Sequence, residues 1–492
     1  MNARDPRPLA APLRTQLYID GVWCRSESGA RLAVVDPSTE KTIVEVEAGG
    51  AADAECAVQA AARAFGDWKN TSGAERAAYL RAIARGVRAR GDHLAALQSL
   101  NNGKPLPEAH IDVADVAATF DYYAELAEQL DRTGEVEVAI PSVEHRAVIR
   151  REAVGVVVLI VPWNFPMVTT AWKLAPAIAA GCTVVLKPSE VTPLPELELT
   201  AIVAESGLPR GILNVVTGTG AEVGAVLAQH PLVAKVSFTG STAVGKQVMK
   251  NAADTLKGVS LELGGKSSII VFADADLDLA VDLVASGGFF NAGQMCSATS
   301  RVLVERPIAQ ALVERLAERA TRTVVGDPFA PGVQMGPLAN RAQYERVRRY
   351  IEQGKADGAR LVAGGDAPRS AGYFVRPTLF VDIPAESALW REEIFGPVLC
   401  VRSFDTEQEA VDAANDSDYG LVGSIVTGDA ERGKRVADRL AAGVVWINAP
   451  QLIFPQTSWG GFKQSSLGRE LGPFGLAAFQ EIKQVLTTIS CA

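Results

Sequence analysis

Two hydrophobic rhythms alternate along the chain. From Ala51 to Leu130 apolar positions recur at helical spacing, predicting helices over Ala51–Phe65, Gly73–Arg90, His93–Asn101 and Ile111–Leu130. Short strands around turns are expected at Tyr18–Trp23 and Arg31–Val35. Residues 134–151 alternate in the manner of strands, with Pro141 interrupting. From Ala153 the period changes. The run AVGVVVLIVP, ending at Pro162, is continuously apolar and β-branched, as in a strand buried on both faces. Beyond it helices (Pro166–Ala180, Pro195–Ser206, Ala221–Gln229) alternate with strands (Thr183–Lys187, Ile212–Val216, Lys235–Phe238) over short links. That order predicts a doubly wound, Rossmann-like parallel sheet. After Gly265 a second α/β series begins: SSIIVF, RVLVE, VLCVRSF and VVWIN, with helices at 276–288, 308–323 and 406–415.

Composition narrows the class. At 492 residues the chain is too long for one ordinary core, and length suggests about three domains. Apolar residues at 48% and charged residues at 21% describe a globular protein. Asp plus Glu (57) exceed Lys plus Arg (48), a balance that disfavours a nucleic-acid partner. The most apolar run is ten residues, against about 20 for a membrane span, so no membrane association is expected. The first 16 residues lack the apolar stretch of a secretory signal and read as a loose arm. Cys24, Cys56, Cys182, Cys296, Cys400 and Cys491 show no framework spacing, which suits reduced thiols in the cytoplasm. The four histidines form no metal-binding pair, so no metal is expected.

Several segments carry candidate chemistry. Gly240–Lys246 (GSTAVGK) has the skeleton of a phosphate loop, but Gln247 stands where magnesium needs Ser or Thr. What remains is a strand, a tight turn and a helix start, whose N–H groups could hold a pyrophosphate. Gly218–Gly224 (GTGAEVG) resembles a dinucleotide fingerprint with one extra residue. Two such turns about 20 residues apart in one βαβ array favour dinucleotide binding. Cys296 lies in FFNAGQMCSATSR. Seen alone it reads first as an inert buried cysteine, but the small residues around it could present a nucleophilic thiol. Glu262, in VSLELGGKS, is either a salt-bridged strand residue or a base with a raised pKa.

Taken in order, PWNFP, KPSE, FTGS, LELGGK, GQMCSATSR, EEIFGPV and WGGFKQSSLGRELG resemble the aldehyde dehydrogenase superfamily, from about Leu17 to about Thr487. CSATSR and FDYYAELAEQLD are most similar to its betaine-aldehyde and aminoaldehyde branch. The resemblance implies that Cys296 attacks an aldehyde, that Asn164 and the Cys296 N–H form the oxyanion hole, and that Glu262 activates the hydrolytic water. Lys173 and Glu470 match a proton-relay pair. Val161, Pro162, Trp163, Lys187, Ser189, Glu190, Gly220, Gly224, Phe238, Gly240, Ser241, Leu263, Glu393 and Phe395 match cofactor-binding positions. Glu190 favours NAD, because a carboxylate repels a 2′-phosphate, while Ser189 leaves NADP open.

For the substrate, Phe165, Trp172, Phe290 and Trp459 match an aromatic box. Phe165 lacks the branch's usual tyrosine hydroxyl, and Phe290 replaces a common tryptophan. Asp112 and Asp115 share one helix face and match acidic positions at the tunnel mouth; a plain solvated acidic face is the alternative. The expected substrate is an aminoaldehyde, with betaine aldehyde next. A dehydrogenase for another small aldehyde, or a non-catalytic NAD-binding scaffold, stays open. A CoA-acylating enzyme is disfavoured by Glu262, and an ATP-using one by Gln247. The implied layout is a cofactor domain (1–130 and 152–262), a catalytic domain (263–470) and a β-flap (131–151 and 471–492) that builds a homodimer or homotetramer.

Overall fold

A computed structural model describes residues 12–368 and 371–489. Two α/β sheets and one small antiparallel sheet organise the chain. The first sheet has eight strands in the spatial order Val22–Cys24, Leu17–Ile19, Leu213–Val215, Thr183–Lys187, Val156–Ile160, Val233–Thr239, Gly258–Glu262, Ser466–Leu467. Its five central strands run parallel, and the edges close antiparallel. Val156–Ile160 is buried at every position, as its unbroken apolar run dictates, and helices cover both faces.

The second sheet has seven strands: Arg360–Ala363, Thr378–Val381, Val398–Phe404, Arg301–Glu305, Ser268–Val271, Val422–Val426 and Val444–Ile447. It carries a core of its own. Strands Gln480–Thr488, His145–Ala153 and Glu135–Val138 form the small third sheet. Chain order does not respect these units. Ser466 and Leu467 pair with Glu262 and Leu261 in the first sheet, and Leu471, Leu476 and Phe479 pack into its core.

Two local expectations change, and one helix was not expected at all. The helix expected from Ile111 begins at Leu106, because Pro105 and Pro107 suit a helix start. Residues 12–16 of the expected loose arm are docked: Leu13 packs on the core, Arg14 lies 5.0 Å from the Trp23 ring centroid, and the Thr15 carbonyl accepts from Glu47 N–H. Residues 1–11 of that arm, like Cys491, lie outside the described residues. Helix Arg341–Ala356 escapes the hydrophobic pattern altogether. Its buried stripe is only Gln343, Val347, Ile351 and Gly354, and two of those four are not hydrophobic.

Candidate active site

Residues at and just beyond the carboxyl ends of the first sheet's parallel strands line a cavity of about 400 Å³, whose other walls include the segments around Cys296, Glu393 and Leu452. This is where open α/β sheets bind ligands. Cys296, Asn164, Pro162, Trp163, Gly240, Ser241, Leu263, Glu393 and Phe395 line it, as do Asp112, Asp115, Phe165, Trp172, Phe290 and Trp459.

Cys296 is half-buried and stands just after helix Leu277–Phe289. Between them Asn291, Ala292 and Gly293 adopt left-handed φ values of 48°, 54° and 72°. For non-glycine residues that conformation costs about 1–2 kcal/mol each, so surrounding contacts must impose it. They are visible. Asn291 Nδ2 donates to the Asn164 carbonyl (3.0 Å), Gln294 Nε2 donates to the Asn291 carbonyl (2.9 Å), and Gln294 Oε1 accepts from Ala339 N–H (2.8 Å). The turn aims Cys296 at the loop that follows strand Val156–Ile160. There Asn164 Nδ2 donates to the Gln294 carbonyl (3.0 Å), while Asn102 Nδ2 holds the Trp163 carbonyl (2.8 Å). One Asn164 amide hydrogen is thus engaged, leaving the second for a ligand oxygen.

The thiol's pKa is pushed up to about 12 by burial first, then by the negative charges of Glu393 and Glu262; backbone N–H groups of Ser297 and Cys296 oppose the rise. At rest the sulfur holds its proton. Glu262 ends strand Gly258–Glu262, buried, with Oε2 unpartnered. Burial and then Glu470 hold its carboxyl well above the ordinary range, against Ser466, Lys173 and Arg469. A buried carboxyl oxygen without a protein partner is a place for water. Gly460, at φ 139°, packs against the other oxygen, where a Cβ would stand 2.9 Å from Glu262 Oε1. Glu262 does not itself line the main cavity, and neither do Lys173 and Glu470. These two form a buried ion pair behind it, with Lys173 Nζ also donating to Thr239 Oγ1 at 2.6 Å.

Glu393 folds back to accept from Gly265 N–H (3.0 Å), and burial lifts its pKa to about 7. A Cβ at 264 would lie 2.4 Å from Glu393 Oε2, so a side chain there would displace that carboxyl. Phe395, at φ 59°, meets the Trp163 ring edge-on at 5.2 Å. Val161, Lys187, Ser189, Glu190, Gly220, Gly224 and Phe238 do not line the cavity. They sit instead at or just beyond the carboxyl ends of neighbouring strands of the first sheet. Lys187 Nζ meets Glu190 at 2.8 Å. Gly220 and Gly224 bound a short π-helical turn, and Ser241 caps helix Thr242–Ala253 by accepting from Val244 N–H (3.4 Å). Lys246, the lysine of the phosphate-loop skeleton, reaches Gln464 instead (2.7 Å).

At the far end Phe165 and Phe290 lie parallel within 5° at 6.4 Å, and Trp172 tilts against Trp459 at 5.5 Å. Trp459 is fixed by backbone bonds in both directions with Glu470 (2.7 and 2.8 Å). Trp172 Nε1 donates to Asp115 Oδ2 (3.2 Å), and Thr119 Oγ1 donates to Oδ1 (3.1 Å). Burial, then the Asp112 charge, raises the Asp115 pKa to about 7. The expected pair of free carboxylates needs correction. Asp112 lines the cavity, but it is buried in an ion pair with Lys104, itself without exposed surface, and accepts from Gln98. Lys104 Nζ also stands 3.9 Å from the Phe165 ring centroid. Asp112 and Asp115 do share one face, but a buried lysine compensates one of them.

Sequence reasoning missed Lys104, Glu108, Asn102, Asn291, Gln294, Gln343 and Arg346. Asn291 and Gln294 lay inside the quoted segment FFNAGQMCSATSR and so carried a signal. Gln343 and Arg346 carried none; both come from the unexpected helix and hold the carbonyls of residues 393–395.

Comparison with known proteins agrees with this geometry. The model of the aldehyde dehydrogenase family matches residues 23–485. The chain is 47% identical over 485 residues to betaine aldehyde dehydrogenase 1 of Oryza sativa subsp. japonica, covering 97% of this chain and 96% of that one. It is 47% identical over 477 residues to the peroxisomal aminoaldehyde dehydrogenase 1 of Pisum sativum, covering 96% and 95%. A crystal structure of betaine aldehyde dehydrogenase from Staphylococcus aureus, in complex with NAD+, superposes with a TM-score of 0.95 at 40% identity, covering 98% of this chain and 96% of that one. Fold, motif order and full-length similarity agree: the chain belongs to the aldehyde dehydrogenase family.

Proposed function

We propose that this enzyme oxidises an aldehyde bearing a cationic tail, an aminoaldehyde or betaine aldehyde, to its carboxylate with NAD+. One observation carries the reading: a single cavity joins the Cys296 thiol to the Asp115 carboxyl along aromatic walls. Relatives named for betaine aldehyde and aminoaldehydes support the substrate class.

The residues present suit a dinucleotide. Ser241 and Gly240 place the start of helix Thr242–Ala253 at the strand ends, where N–H groups favour a pyrophosphate. Lys187 and Glu190 would hold the adenosine ribose, and Glu393 the nicotinamide ribose. Glu190 weights the choice to NAD+ over NADP+. The cofactor, when bound, accepts the hydride that oxidises the substrate carbon.

The chain's own groups do the rest. Cys296 passes its proton through water to Glu262, and the sulfur bonds to the aldehyde carbon, giving a thiohemiacetal alkoxide. The free Asn164 N–H and the Cys296 backbone N–H receive that oxygen; removing such a donor costs roughly 3–4 kcal/mol. Oxidation leaves a thioester on the sulfur. Glu262 takes a proton from water, the hydroxide adds to the thioester carbon, and the C–S bond breaks to release carboxylate and thiol. Lys173 and Glu470 carry protons away from Glu262. Asp115, as the carboxylate, draws the ammonium end, and the Trp172 and Trp459 faces add about 0.5–2 kcal/mol each when dry.

The domain roles follow the sheets: the first holds the cofactor, the second presents Cys296, and the third assembles subunits. Strand Glu135–Val138 is exposed throughout, and Val136, Ile482 and Leu486 are exposed apolar residues on that sheet, a surface that needs a partner. A homodimer or homotetramer supplies one, and light scattering would count the subunits. The five described cysteines are all free, as suits the cytoplasm. No helix among the described residues is long and apolar enough to cross a membrane.

The deciding experiment is a panel of cationic and neutral aldehydes, with NAD+ or NADP+ and without CoA. The expected result is the highest kcat/KM for an ω-amino or trimethylammonio aldehyde with NAD+. Equal kcat/KM for a neutral aldehyde of the same length would remove the charge recognition.

A further inference from the structure

Glu108 is a carboxylate for which the reaction above has no use, yet it touches the nucleophile's turn. It stands in the first turn of helix Leu106–Thr133, and its Oε2 accepts from the Asn291 backbone N–H at 3.0 Å, bridging 183 residues of sequence. Asn291 opens the left-handed run that leads to Cys296. The other side-chain ties on that run are the Asn291 amide donating to the Asn164 carbonyl and the Gln294 amide donating to the Asn291 carbonyl; among the described residues Glu108 is its one ionisable partner. Lys104 and Asp112 are the charged groups that face Glu108. Lys104 also pairs with Asp112 and covers Phe165, so one buried lysine links the substrate wall to the nucleophile's support.

We infer that Glu108 is a positioning residue: its carboxyl oxygen Oε2 holds the Asn291 N–H, and with it the left-handed turn that points Cys296 into the cavity. The physical basis is twofold. A buried N–H without an acceptor is unfavourable, and adjacent left-handed residues relax when nothing outside the turn imposes them. The inference rests on Cys296 being the nucleophile.

The test compares Glu108→Ala, Glu108→Gln and Glu108→Asp in the full-length enzyme with NAD+. Two readouts serve: steady-state kinetics, and the rate at which iodoacetamide labels Cys296, followed by mass spectrometry. Glu108→Ala is expected to lower kcat about tenfold or more and slow labelling several-fold, with KM for aldehyde within about twofold, the pattern of a misaimed nucleophile. Glu108→Gln keeps an oxygen acceptor at the same reach and should retain both rates within about threefold of the parent. Glu108→Asp keeps the charge but shortens the reach, and should fall with the alanine variant. Adding Ala292→Gly to Glu108→Ala, which relieves the left-handed strain, should restore part of the lost labelling rate.

A folded alanine variant with unchanged kcat and labelling overturns the inference. So does a loss confined to KM. If the alanine variant does not fold, the other two decide: an active aspartate with an inactive glutamine would mean that charge matters, not the hydrogen bond. The nucleophile reading fails separately, if Cys296→Ser leaves turnover intact; the labelling rates of the Glu108 series still report on the turn.

Discussion

The two ends of the cavity are held by different kinds of contact. Around Cys296 the ties run to backbone: Asn102, Asn291, Gln294 and Gln343 all donate to carbonyls, and Gly264 and Gly460 are shaped by lack of space for a side chain. At the other end the ties run between side chains: Trp172 to Asp115 across two helices, and Lys104, in the link before helix Leu106–Thr133, to Asp112 and to the Phe165 ring. Backbone contacts fix where the Cys296 segment runs and tolerate little change. Side-chain contacts adjust charge and width: Trp172 and Asp115 lie clear of the turn that carries Cys296, whereas Lys104 faces both Asp112 and Glu108. On the proposed mechanism, the difference teaches that chemistry and substrate choice are separable at Asp115 and joined at Lys104.

Substitutions at the two ends should therefore fail in different ways. The largest effect is expected for Cys296→Ala, which should reduce NADH formation by at least about 10³-fold; wild-type turnover would break the comparison at its first step. Glu262→Gln should reduce steady-state kcat by roughly 10²–10⁴-fold. It should leave a rapid burst of about one NADH per site, since only thioester hydrolysis is blocked; stopped-flow absorbance separates the two phases. Asn164→Ala should lower kcat by about 10²–10³-fold, with KM little altered.

At the far end Asp115→Asn should raise KM for a cationic aldehyde about tenfold, and leave a neutral aldehyde of equal length unaffected. The parent enzyme should show the matching pH effect. The Asp115 carboxyl is protonated below its raised pKa of about 7 and charged above it. KM for the cationic substrate should therefore fall as pH rises from 6 to 8, and the asparagine variant should lose that slope. The smallest kinetic effect is expected at Asp112→Asn. Lys104 already engages that charge, so KM should move within about threefold. Stability should suffer instead, by roughly 3 kcal/mol, because a buried lysine loses its counter-charge; thermal unfolding measures it. A tenfold KM effect at Asp112 would mean that the pairing with Lys104 opens in solution.

Local sequence was enough to predict the parallel strands of the first sheet and much of the alternation in the second, and to point to the motif residues around Cys296; the edge strand Ser466–Leu467 and the strands Arg360–Ala363 and Thr378–Val381 escaped it. Continuous apolar runs and glycine-containing turns are local, and a strand end followed by a helix start places its residues wherever the rest of the chain goes. The tertiary structure alone decided which carboxylate stays free. Asp112 and Asp115 look equivalent on their helix, and nothing within three residues distinguishes them. Lys104 does, because it is buried beside one of them, and charge in a dry interior must find its partner. Glu108 and helix Arg341–Ala356 were hidden for the same reason. Their roles lie in contacts across tens to hundreds of residues, where periodicity carries no record of what meets what.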